Sequence, residues 1–115
     1  MPKVAYEAWQ LTSLFEMEPA YPLGEGPWPY TEVEYSLARQ DAELTCTLQP
    51  AYRDVRIVLK ISGRVVYKLE ALDVPEIEYV NDEHGEGLRI HLSERDELLL
   101  RVKPNIRIAH DFSAQ

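Results

Sequence analysis

The residues best equipped for chemistry in this chain crowd into one turn-rich segment. Asp82, Glu83, His84 and Glu86 place three carboxylates and an imidazole within five residues. Oxygen-rich loops of this kind bind hard cations when the spacing surrounds the ion and a glycine makes the sharp bend. This segment does not follow the EF-hand pattern. With Gly85 and Gly87 interleaved, it reads instead as a solvated hairpin turn. The other histidines do not converge on it. His91 falls at an outward strand position, and His110 falls in phase with Ile106 and Ile108, which are read as inward. No zinc site is expected from ligand spacing. Cys46, between Thr45 and Thr47, occupies an inward strand position and reads as a buried, inert thiol.

The chain carries no G-x-S-x-G elbow, no Cys–His arrangement and no phosphate-cradling glycine loop. Glu32/Glu34 and Glu76/Glu78 are each spaced to share one face of a strand. Paired carboxyls serve glycoside hydrolysis, so an enzyme using them is kept as a lesser alternative that needs a cleft beside one of the pairs. No catalytic residue is assigned, and neither a cofactor nor a metal is expected.

Those side chains must be positioned by a mostly β framework. Its centre is Asp54 to Ala71, two runs rich in β-branched residues around Ser62-Gly63. Val55, Ile57, Leu59 and Ile61 alternate with Arg56, Val58 and Lys60, and Val65, Tyr67 and Leu69 alternate on the return. A two-residue loop would set Ile57 against Lys68. A three-residue loop, Ile61 to Gly63, pairs Leu59 with Val65, Ile57 with Tyr67 and Val55 with Leu69, and is the predicted register.

Upstream, Val33, Tyr35 and Leu37 mark a strand, as do Leu44, Cys46 and Leu48. A loop from Arg39 to Ala42 pairs Leu37 with Leu44, Tyr35 with Cys46 and Val33 with Leu48. Pro50 ends that ladder. Downstream, Ile77 and Tyr79 precede the turn at Asn81 to Gly87. Leu88, Ile90 and Leu92 follow it, and a loop from Ser93 to Glu97 sets Leu92 against Leu98, Ile90 against Leu100 and Leu88 against Val102. Ile106 and Ile108 begin a last strand. Residues 3–17 are ambiguous: Val4, Ala8, Leu11 and Phe15 form a helical stripe, while Val4, Tyr6 and Ala8 alternate. Strand-like structure running into a loop is favoured there.

The expected fold is mainly β: a single antiparallel β-sandwich or small meander barrel of about eight strands, with an irregular or short helical N-terminal segment. One domain over 1–115 is expected, divided into an N-terminal segment and Pro/aromatic loop (1–30), a β-core (31–110) and a tail (111–115). No apolar run approaches the ~20 residues of a membrane span, and MPKVAYEAWQ has no signal-peptide core. A single cysteine excludes an internal disulfide and fits a cytoplasmic location. The net charge of −8 disfavours nucleic-acid and membrane surfaces and permits a basic protein partner.

Two surfaces stand out. Tyr21, Trp28 and Tyr30 are interleaved with prolines, as anchors of a recognition loop would be. They could instead fold back as a lid over one open end of the core, and the lid is favoured because soluble proteins seldom expose several large aromatics. The second surface is the outward face of the central hairpin: Arg56, Val58, Lys60, Arg64, Val66 and Lys68. Residues 1–50 hold two bases and eight acids, whereas residues 51–115 hold ten bases and twelve acids. The bases fall on outward strand positions, Arg89, Arg101 and Arg107 among them. The resulting basic face could meet an anionic partner, an RNA, or the Glu32/Glu34/Glu43 face of another copy. It could also simply protect an exposed sheet. The leading reading is a non-catalytic β-domain acting through protein–protein contacts, by self-association (a homo-oligomer) or by accessory or inhibitory partner binding. The alternative is a small-molecule pocket under the Tyr21/Trp28/Tyr30 loop.

Overall fold

A computed structural model describes residues 3–5, 8–24, 26, 31–94 and 96–112. The chain is mainly β. Its elements in order are β1 (Lys3–Ala5), α1 (Ala8–Phe15), β2 (Val33–Arg39), β3 (Ala42–Gln49), a 3-10 turn (Pro50–Tyr52), β4 (Asp54–Ile61), β5 (Arg64–Ala71), β6 (Glu76–Asp82), β7 (Gly85–His91), β8 (Asp96–Lys103) and β9 (Arg107–Phe112). One sheet has the order β2-β3-β4-β5 and the other β1-β6-β7-β8-β9. Two stacked antiparallel sheets decide the architecture as a small β-sandwich. Only the short β1 runs parallel, alongside β6.

Period-2 alternation builds the core. Val33, Tyr35, Leu44, Cys46, Leu48, Val55 and Ile57 from the first sheet meet Ile77, Leu88, Ile90, Leu98, Leu100 and Val102 from the second, all essentially buried. The β2–β3 register is the expected one, Val33 with Leu48, Tyr35 with Cys46 and Leu37 with Leu44.

Residues 8–15 are a helix rather than strand-like. Leu11, Leu14 and Phe15 fall at helical spacing and are all buried, which no period-2 arrangement allows. Phe15 stacks on Tyr35 with ring centroids 5.0 Å apart. This helix supplies bulk to the core. Tertiary packing outweighed a local pattern that suited either structure.

The central hairpin also departs from the expected register. Its loop is the two-residue Ser62-Gly63, with φ of 51° and 81°, joining Ile61 to Arg64. Left uncorrected, that loop would set apolar side chains against charged ones. A bulge in β5 opposite Lys60 absorbs one residue and restores phase, pairing Leu59 with Tyr67, Ile57 with Leu69 and Val55 with Ala71. Val65, expected inward, is therefore 55% exposed beside Val66 at 57%.

The β7–β8 register is likewise two residues from the expected one. Ile90 pairs with Leu98 and Leu88 with Leu100. The turn is closed more tightly than expected, since the Leu92 amide donates to the Asp96 carbonyl at 2.8 Å and the Asp96 amide to Ser93 Oγ at 3.1 Å. A shift of two keeps every face, so the core is unchanged. A bulge between Glu86 and Gly87 leaves Val102 as the extra, fully buried residue. His110, expected inward, is exposed, while Ile106 and Ile108 pack partly against the core.

Candidate functional site

The outward face of the β2–β5 sheet brings together side chains from four strands. Cross-strand partners define three rows: Ala38, Glu43, Lys60 and Val65; Ser36, Thr45, Val58 and Lys68; Glu34, Thr47, Arg56 and Glu70. Arg56 and Glu70 form an ion pair at 3.0 Å. The expected basic face is therefore of mixed charge, because each hairpin base has an acid in its own row or the next. Val58 is half-buried in the middle row, and Val66 stands exposed at the bulge. Arg64 flanks the tip of the hairpin, where the Ser62 amide donates to the Asp41 carbonyl at 2.9 Å and ties the two hairpin tips together. At the opposite end of the strands, Tyr52 and Leu72 are 57% and 71% exposed. The chain leaves this sheet there, pinned by the Arg53–Asp73 ion pair and by Arg53 Nε donating to the Val74 carbonyl at 3.0 Å.

Arg89, Arg101 and Arg107, expected to extend the basic face, lie on the other sheet. Arg101 is buried and bidentate to Asp82, Nη1 to Oδ1 at 2.9 Å and Nη2 to Oδ2 at 3.1 Å. Together with the His84 backbone amide, this holds the Asp82 carboxyl down at about 2. Arg89 reaches Glu78 at 3.1 Å and Glu97 at 3.2 Å. His91 stands 3.4 Å from Glu78, 3.6 Å from Glu97 and 3.9 Å from Glu76. Burial pushes the Glu78 carboxyl up, but the Arg89 and His91 hydrogen bonds prevail and hold it below its ordinary value. The Glu86 carboxylate accepts a hydrogen bond from the Tyr79 hydroxyl and, with burial, raises that phenol to about 12. This is an ion-pair network on an outer sheet face, in which Arg89, His91 and Arg101 each face a carboxylate. Among the described residues no group of three or more His, Cys, Asp or Glu is placed to hold a metal ion. Cys46 is fully buried, and burial pushes its thiol up to about 12, where no thiolate forms near neutral pH.

A cleft of about 200 Å³ lies between α1 and the segment leading to β2. Tyr35 and Val33 line it from the strand, Thr12 and Trp9 from the helix, and Glu18, Pro19 and Tyr21 from the connecting segment. That segment is held by Ala20, whose amide donates to the Glu34 carbonyl at 2.8 Å and whose carbonyl accepts from the Glu34 amide at 2.9 Å. The same bonds bridge the outer edge of β2 at Glu34. Tyr21 is 37% exposed, Leu23 77% and Trp9 65%. Trp28 and Tyr30 lie outside the described residues. Trp9 was missed from the sequence because its exposure follows from α1, whose other face carries the core residues. An indole, a phenol and a carboxylate on the rim of an apolar cleft form a natural anchor point for a protein surface.

No protein-family model and no curated protein matches this sequence. Among solved structures, the fold is similar to a contact-dependent growth inhibition toxin–immunity protein complex from Klebsiella pneumoniae 342. The likeness has a TM-score of 0.78 at 13% identity and covers 96% of this chain and 96% of that chain. At that identity the likeness is one of fold. Among the described residues no helix is long and apolar enough to cross a membrane.

Proposed function

We propose that this chain is a non-catalytic, immunity-like domain that works by binding a protein partner. The observation that carries this reading is the whole-chain fold likeness to a toxin–immunity protein complex. Two further features support it. The net charge of −8 suits a basic partner, whose approach it would accelerate at low salt. The exposed Trp9 and Tyr21, with Glu18 beside them, are the residue types that dominate protein–protein hot spots. The small-molecule alternative is less well supported, because the cleft's ~200 Å³ falls below the ~300 Å³ at which ligand pockets begin.

The test is protection. Cells producing the chain are challenged with a panel of basic and acidic contact-dependent growth inhibition toxin domains. Protection against a basic member is expected, with a one-to-one complex by titration calorimetry. Trp9→Ala should weaken that complex by about 30-fold, the size of a hot-spot loss. Failure of a soluble, folded chain to protect against any toxin in the panel would overturn the reading.

A further inference from the structure

We infer that β5 is a self-complementary edge strand that joins two copies of this chain through an antiparallel β5–β5 contact. The proposal is independent of the partner reading above and uses a different surface. Of the two edges of the first sheet, the β2 edge is bridged at Glu34 by the Ala20 backbone, and its Ser36 amide meets Met17 Sδ, whereas β5 pairs with β4 on one side only. Among the described residues no backbone hydrogen bond reaches β5 from any other element. An uncovered strand of eight residues is a template for another strand.

The side chains select the occupant and the register. Beyond the bulge, Tyr67, Leu69 and Ala71 face inward, while Val66, Lys68 and Glu70 face outward. Inward residues must oppose inward ones, so the two-fold axis must pass through a residue rather than between two. Centred on Lys68, the contact sets Lys68 against itself; centred on Glu70, it sets Glu70 against itself. Centred on Tyr67, it runs into the bulge and leaves Val66 opposite Lys68. Centred on Leu69, it sets Lys68 of each copy opposite Glu70 of the other, Tyr67 opposite Ala71, and Leu69 opposite Leu69. Val66 of each copy then reaches Leu72 of the other. These are two of the most exposed apolar side chains on the described surface, 57% and 71%, and this register covers both. Opposite charges and apolar groups thus pair at every step in one register only. The product is a continuous eight-stranded sheet in the order β2-β3-β4-β5-β5-β4-β3-β2.

Charge exchange tests the register. Sedimentation and light scattering across a concentration series should show a species of twice 13.3 kDa. Lys68→Glu sets two carboxylates opposite Glu70, and Glu70→Lys sets two ammonium groups opposite Lys68. Each variant alone should dimerise at least about tenfold more weakly. Mixed in equal amounts, the two should recover a heterodimer of wild-type strength, because each then meets its opposite charge. Circular dichroism confirms that both are folded. A wild-type chain that stays monomeric to about 0.5 mM would overturn the proposal. So would a dimer that neither variant weakens, or variants that fail to recover on mixing.

Discussion

Leu14→Ala is the substitution that most sharply divides a helix from a strand at the N-terminus. In a strand, Leu11, Ser13 and Phe15 would share the buried side and Leu14 would face solvent. In the observed helix, Leu11, Leu14 and Phe15 share it, and Leu14 is fully buried. Leu-to-Ala changes at such sites cost about 2–5 kcal/mol, through lost transfer energy and the cavity left behind. A loss of about 3 kcal/mol is expected here, since the short helix can settle partly into the space. For a chain of this size that lowers Tm by about 12 °C. Urea unfolding should show a lower midpoint at unchanged m-value. Ser13→Ala, on the exposed side of the same helix, serves as the control and should change stability by less than about 0.5 kcal/mol. If Leu14→Ala costs under about 1 kcal/mol while Leu11→Ala costs over about 2 kcal/mol, the helical packing is refuted.

Further outcomes follow from the second sheet and the core. A Cβ on Gly87 would meet the Leu100 carbonyl oxygen at 1.9 Å. Gly87→Ala should therefore destabilise by about 3 kcal/mol, the upper end for overpacking, as read by urea midpoint. Asp82 is held at about 2 when folded, below its unfolded value of about 3.9. Its contribution is present above pH ~4 and is lost as pH falls towards 2, because the unfolded state then binds the proton more readily. Asp82→Asn should flatten the fall of the denaturation midpoint between pH 5 and pH 2, and an unchanged profile would refute the assignment. Cys46 should react with a thiol reagent only as fast as the chain unfolds. Labelling of the native protein within seconds would contradict its burial.

Most of the sandwich was legible in the sequence, because each strand buries one face and alternation records that directly. Tyr35 with Cys46 and Leu37 with Leu44 could be paired from faces and loop length alone. Where a loop residue can be exchanged for a bulge, alternation no longer fixes the register. The hairpin around Ser62-Gly63 satisfies the same inward faces with a three-residue loop or with a two-residue loop plus a bulge. Nothing local to the strand distinguishes them. That choice moved Val65 to the surface and set the stretch of β5 that can pair.

The candidate surfaces divide in the same way. Outward Arg56, Val58, Lys60, Val66 and Lys68 could be found from alternation, but their charge environment could not. Glu34, Glu43 and Glu70 join those rows only because β3 and β5 flank β4 and β2 lies beyond β3. Trp9 became part of a cleft only once packing on Tyr35 fixed residues 8–15 as a helix. By itself, then, the sequence determined most of the strand residues that face inward, Val65 and His110 excepted, since burial repeats at the period of the strand that carries it. The tertiary structure decided which strands are neighbours, and with that which charges are compensated and which edge is left open. Cross-strand contact joins residues far apart along the chain, and no local period encodes it.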